Sequence, residues 1–122
     1  MQSYKELLVY KKSYAQAIKM YELAKSFPKE EQFGLTSQIK RTATSIPLNI
    51  AEGYGKAETG KEVVRFLSMA RGSSAEMEVL LCFAKDFGHM SREEYSEAIK
   101  LQEEIGRMLT GIIKSIKSKQ QS

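Results

Sequence analysis

The chain reads as an all-α protein, an antiparallel up-down-up-down four-helix bundle, and three observations carry that reading. Apolar residues recur at alternating steps of three and four in four separate stretches, the period of a helix buried along one side. Residues that end helices, Pro28, Gly53 with Gly55, and Gly88, stand between those stretches. Thr59-Gly60-Lys61-Glu62 and Ser91-Arg92-Glu93-Glu94 have the Ser/Thr-x-x-Glu spacing of a capping box, which satisfies two free backbone N–H groups where a helix begins.

The first helix is expected over about residues 4–27, with Leu7, Tyr10, Tyr14, Ala17, Tyr21 and Ala24 as its buried seam and Pro28 as its stop. After the loop FPKEEQFG, Thr36 is placed to cap a second helix over 35–55. That helix carries two ridges side by side. Leu35, Ile39, Ala43, Ile46 and Ile50 form the apolar one, and Thr42, Ser45, Asn49, Glu52 and Lys56 the polar one. Pro47 lies within it. Its ring removes one backbone hydrogen bond and clashes with the preceding turn, at a cost of about 3 kcal/mol in an isolated helix, so a kink or two abutting helices are expected, held by packing.

The third helix is expected over 60–87, on the seam Val63, Phe66, Ala70, Ser73, Met77, Leu80, Ala84 and Phe87, ending at Gly88. The fourth spans 92–118, on Tyr95, Ala98, Gln102, Ile105, Leu109, Ile112 and Ile116. Ile99, Leu101, Met108 and Ile113 lie off that line, so its apolar surface is wider than one seam needs, which points to self-association through this helix. Its end, with Arg107, Lys114, Lys117 and Lys119, is basic and suits a helix C-terminus.

At 122 residues, 42% hydrophobic and 28% charged, the chain is the size of one domain, large enough to bury a core without disulfides or metal. No apolar run reaches the ~20 residues that span a bilayer, and MQSYKELLVYKK lacks the apolar block of a signal peptide, so a cytoplasmic protein with no membrane partner is expected. The lone Cys82, set in MEVLLCFAKDF, has no intrachain partner and reads as a small buried hydrophobe.

Chemistry is sparse. The single histidine, His89, sits in the Gly88–Ser91 turn and reads as an exposed turn residue, and it cannot supply the paired Glu-x-x-His motifs of a di-iron bundle or a Cys/His zinc set. Gly53-Tyr54-Gly55 lacks the strand and third glycine of a phosphate cradle. No catalytic residue, cofactor or metal is expected.

Two constellations remain. Leu67, Arg71, Ser74, Glu78 and Leu81 share one line of the third helix, and Ser45, Asn49 and Glu52 offer an equivalent line on the second. If the two faces meet, Arg71 can pair with Glu52 or Glu78 while Asn49 and Ser74 complete a structural polar belt. The alternative, a paired-carboxylate active site, is disfavoured because a cation beside the acids keeps them ionised. The second constellation is basic. Lys40, Arg41, Lys56, Lys61 and Arg65 fall within 26 residues, against Glu52, Glu58 and Glu62, and such a patch can engage the phosphates of RNA or DNA. The net charge of +4 supports this only mildly, and a solvated face is the alternative.

Three segments in order, Gly34-Leu35-Thr36-Ser37-Gln38-Ile39-Lys40-Arg41, Ser45-Ile46-Pro47-Leu48-Asn49-Ile50-Ala51-Glu52-Gly53, and Arg65-Phe66-Leu67-Ser68-Met69-Ala70-Arg71-Gly72-Ser73-Ser74-Ala75-Glu76-Met77-Glu78, closely resemble the four-helix-bundle family named for proteins encoded in intervening sequences of bacterial large-subunit ribosomal RNA. The resemblance runs from LLVYKKSYAQAIKMY to IGRMLTGII; Tyr10 stands where that family commonly has tryptophan. It implies a bacterial bundle that forms a homopentamer, related to the basic accessory protein of diversity-generating retroelements, which binds a reverse transcriptase and nucleic acid. The functional expectation is thus a non-enzymatic oligomer that binds nucleic acid as an adaptor. A structural or protein-interaction module with no nucleic-acid role is the alternative.

Overall fold

Where a helix in this chain can start and stop is decided by which groups replace its missing backbone partners, and those groups differ in places from the sequence expectation. The computed structural model describes residues 3–121. The expected first helix is divided. A 3-10 turn, Tyr4–Glu6, is capped by Ser3, and extended Leu7 separates it from α1, Leu8–Ala24. A second 3-10 turn, Lys29–Glu31, leads into α2, Leu35–Lys56; α3 spans Gly60–Asp86 and α4 Arg92–Gln121.

Thr36 does not cap α2. The carboxylate of Glu31 accepts from the Leu35 N–H at 3.4 Å, while the Thr36 hydroxyl lies buried inside the first turn without a partner. One capping box forms in full and the other by half. Thr59 accepts from the Glu62 N–H at 3.1 Å, although the Glu62 carboxylate reaches the Glu58 N–H and not that of Thr59. Ser91 and Glu94 bond reciprocally, at 2.8 and 3.0 Å. Gly88, at φ +81°, closes α3 in a Schellman turn, with His89 N–H on the Ala84 carbonyl and Gly88 N–H on that of Lys85. α2 runs through buried Pro47 as one helix, so the two-helix alternative is not found.

The helices pack in cyclic order, each backbone close to two neighbours, and among the described residues no diagonal pair of backbones comes as close. Two apolar clusters fill the bundle. One holds Met20, Leu35, Ile39, Met77 and Leu81, the other Val9, Ile46, Ile50, Leu67, Ile105 and Leu109. Gln16, Ser74 and Gln102 fall between them in register, all buried.

The buried lines of two helices differ from the expected seams. α1 buries Val9, Ser13, Gln16, Ala17, Met20 and Ala24, while Tyr14 is 54% and Tyr21 42% exposed. α3 buries Ala70, Met77, Leu80 and Ala84 of its expected seam, adds Leu67, Ser74 and Leu81 from the line expected to flank it, and leaves Phe87 exposed. α4 keeps its expected seam except near its end, where Ile113 takes the buried place. Its wide apolar face is used inside the molecule. Ile99, Leu101 and Met108 pack onto the clusters, and among the described residues the exposed large apolar side chains lie on α1, α2, α3 and at Phe33, not on α4.

Candidate nucleic-acid interface

Lys56 ends α2 and Lys61 begins α3 across a three-residue link, so the turn itself gathers cations at one end of the bundle. Lys61 and Arg65 line a groove there with Val64, Lys117 and Gln120, the last two from α4. The Arg65 guanidinium lies 4.5 Å over the Phe66 ring, which steadies an otherwise exposed side chain. Lys56 Nζ stands 3.4 Å from Glu52 Oε1, an exposed i,i+4 pair worth about 0.3–0.5 kcal/mol, too weak to withhold the lysine from a phosphate. Of the nearby acids, the Glu62 carboxylate accepts from the backbone N–H of Glu58 at 3.3 Å.

Lys40 and Arg41 stand apart from this group. They lie some sixteen residues before Lys56 on the same helix, about 24 Å along its axis. Lys40 Nζ sits 5.1 Å over the Tyr21 ring of α1, and Arg41 is exposed. The five cations expected as one patch therefore form two. Lys117 joins one of them, and the basic tail in the sequence was the signal for it.

The polar residues of α2 close on their own helix. Ser45 Oγ donates to the Thr42 carbonyl at 2.7 Å, Asn49 Nδ2 to the Ser45 carbonyl at 2.9 Å, and Glu52 pairs with Lys56. The side-chain bond from α2 to α3 runs instead from Thr42 Oγ1 to Glu76 Oε2, at 3.0 Å. Ser74 is joined to α4, because the Gln102 amide donates to its carbonyl and hydroxyl, and Gln16 Nε2 donates to Gln102 Oε1 at 3.0 Å. Arg71 and Glu78 share a cleft with Ser74, but Arg71 pairs with neither Glu52 nor Glu78. The belt expected between α2 and α3 is thus replaced by a buried layer joining α1, α3 and α4. Gln16 was hidden from the sequence reading because it lies off the aromatic line taken as the seam.

Two further contacts correct the expectation for single residues. His89 Nε2 lies 2.9 Å from Glu31 Oε2, largely buried, with the ring 5.5 Å from that of Phe27. The bond to His89, then that from Leu35 N–H, holds the Glu31 carboxyl below its ordinary value. Cys82 is half-buried, with Sγ 3.6 Å from the Tyr95 hydroxyl; that contact first, then desolvation, pushes Tyr95 up to about 12. Among the described residues no group of three His, Cys, Asp or Glu is placed to hold a metal ion, and no helix is long and apolar enough to cross a membrane.

A family profile described as 23S rRNA-intervening sequence protein matches residues 5–111. Among solved structures, the chain is similar to a protein with unknown function from the S23 ribosomal protein family of Bacteroides thetaiotaomicron VPI-5482. The two are 29% identical, the match covers 88% of this chain and 99% of that one, and the TM-score is 0.81. No protein of curated function matches.

Proposed function

The chain belongs to the 23S rRNA-intervening sequence protein family, and from that premise we propose that it is a non-enzymatic, oligomeric four-helix bundle that binds RNA or DNA as an adaptor to a protein partner. The observation that carries this reading is the groove at one end of the bundle, where Lys61 and Arg65 meet Lys117 beside Lys56. Cations from three helices converge there on a scale that suits a phosphate backbone, and each adds a long-range, salt-sensitive attraction. An oligomer would multiply the effect. Supporting oligomerisation is an apolar strip on α1 and α2, with Tyr14, Ile18, Tyr21 and Leu48 exposed around a groove of about 550 Å³.

The finer parts of this reading rest on the family resemblance: a cytoplasmic homopentamer, kinship with the retroelement accessory protein, and a nucleic-acid enzyme such as a reverse transcriptase as partner. An up-down-up-down order is supported by cross-helix pairs such as Lys12 with Glu104 and Gln16 with Gln102, whose numbers run in opposite directions. A bend of α2 at Pro47 belongs to the same reading. The apolar strip also favours a second reading, a protein-interaction module whose basic end only keeps it soluble.

Binding of structured RNA and of duplex DNA, measured between 50 and 200 mM salt, separates the two. The adaptor reading expects affinity for duplex DNA to fall with a log–log slope of about −0.9 for each phosphate contacted. It also expects Lys61→Glu with Arg65→Glu to weaken binding more than Lys40→Glu with Arg41→Glu does. Absence of binding at 50 mM salt would leave the protein-interaction module.

A further inference from the structure

The cleft between α3 and α4 holds two cations and two anions that make no direct ion pair among the described residues. Its volume is about 410 Å³, within the range of small-ligand sites. Its floor is polar and closed to solvent, since Ser74 is 1% and Gln102 2% exposed. Gly106 lies over that floor, where a Cβ would come into ordinary contact with Ser74 Oγ at 3.4 Å. Around it stand Arg71 and Glu78 from α3 and Glu103 and Arg107 from α4, and none of the four makes an ion pair among the described residues.

The two signs are sorted along the cleft. Cys82 meets Tyr95 and Ser74 meets Gln102, so α4 passes α3 in the reverse direction, which brings Arg107 level with the turn holding Arg71. Glu103, beside Gln102, comes level with Ser74 one turn from the arginines, and Glu78 lies one turn beyond it. From Arg71 to Glu78 is about 10 Å along the helix. Two arginines level with each other at one end, with the carboxylates one and two turns further along, match a ligand that is anionic at one end and carries N–H donors at the other. The arginine end suits an oxyanion held by guanidinium forks. The acid end suits N–H donors.

We propose that this cleft binds one nucleotide, with its phosphate on Arg71 and Arg107 and the amine-bearing edge of its base on Glu78 and Glu103. The nucleotide is either free or at the end of a strand; both present the same chemistry. Cytosine, adenine and guanine each offer an exocyclic amine to a carboxylate, and uracil offers none. The choice of ligand rests on the nucleic-acid reading above, but the residues are separate from the basic end of the bundle.

The full-length protein is titrated at low salt with 5′-CMP and 5′-UMP by calorimetry. CMP is expected to bind about tenfold more tightly than UMP, the discrimination of one good carboxylate–amine contact. Arg107→Ala, an exposed position whose unchanged melting is checked first, is expected to weaken both nucleotides at least tenfold. Glu78→Gln with Glu103→Gln is expected to reduce the preference for CMP while UMP binding holds. Tighter binding of a 5′-phosphorylated than of an unphosphorylated oligocytidine assigns the site to a strand end, and CMP saturation without that difference assigns it to a free nucleotide. No saturation by either nucleotide, indifference to Arg107→Ala, or a CMP preference that survives both glutamine substitutions overturns the proposal. Lys61→Glu with Arg65→Glu keeps CMP binding while losing duplex binding. Wild-type protein that takes CMP but no duplex would therefore fail the adaptor reading and leave the cleft standing.

Discussion

α1 and α4 lie side by side, and they divide the work of the bundle in opposite ways. α4 buries Ile105 and Leu109 completely, and none of its large apolar side chains is left exposed. α1 buries Ser13 and Gln16 completely and leaves Tyr14, Ile18 and Tyr21 about half in solvent. Apolar character therefore decides the inward face of α4 and not that of α1. What decides α1 is the availability of partners. Gln16 enters the core because Gln102 waits opposite it, and Ser13 because its hydroxyl returns to the Tyr10 carbonyl at 3.1 Å. Partnering is incomplete even there, since Gln16 Oε1 is buried without a partner, while the tyrosines keep their polar tips outward in the groove with Leu48 and Pro47.

The sharpest way to break this contrast is to remove the residue on which the two helices meet. Gln102→Ala leaves a cavity and strips partners from the amide of Gln16 and from the Ser74 groups, and an orphaned buried polar group costs about 1–3 kcal/mol. A loss of roughly 2–4 kcal/mol in urea denaturation is expected. Replacing Gln16 and Gln102 by leucine and Ser74 by alanine together should recover much of it, since an apolar layer of similar volume has no unmet bonds. A Gln102→Ala loss below about 1 kcal/mol would mean that the polar layer is incidental.

The same pair of helices marks how far the sequence is informative. Four helices, their breaks and the caps at Thr59 and Ser91 follow from local chemistry, because a Ser or Thr three residues before Glu acts within one turn. The rotation of α1 about its own axis does not follow, nor does the full width of the buried face of α3. A line through Tyr10, Tyr14 and Tyr21 and a line through Val9, Gln16 and Met20 both have helical spacing, and only the identity of the facing residues separates them. The same limit applies to the site residues. Lys40 and Arg41 fall close to Lys61 and Arg65 in sequence, yet a helix of 22 residues carries them to opposite ends, and Lys117 enters from a segment distant in the chain. Arg71 and Ser74 stand out in sequence as a polar line in an apolar setting, but the partner of Ser74 is Gln102 on α4, and Arg71 pairs with no residue of α2.

A weaker perturbation tests the outward face of α1. Tyr14→Ser with Tyr21→Ser removes exposed rings, so each should change the stability of the monomer by no more than about 0.5 kcal/mol. Sedimentation should instead show a smaller assembly if the strip is covered by another copy. A large loss of stability with unchanged sedimentation would place the rings in the core economy of the bundle and erase the contrast with α4.

The smallest expected effect lies where α1 and α4 are tied beyond Gln16–Gln102 and Lys12–Glu104, through the loops at one end. Glu31 follows α1, His89 precedes α4, and their bond also places the carboxylate that caps α2. Because the Glu31 pKa is lowered in the folded protein, its contribution to stability is fully present above the ordinary glutamate value of about 4.3 and fades as pH falls through the lowered value. His89→Ala removes the largest cause of that lowering. The difference in thermal midpoint between wild type and His89→Ala should therefore hold steady down to about pH 5 and shrink at more acid pH, as Glu31 takes up its proton. In carboxylate NMR titrations Glu31 should move back toward its ordinary value in the variant. A gap that persists unchanged to pH 2 would assign the loss to the Phe27 ring contact, and this tie between the helices would then be aromatic, as on the outer face of α1, and not ionic.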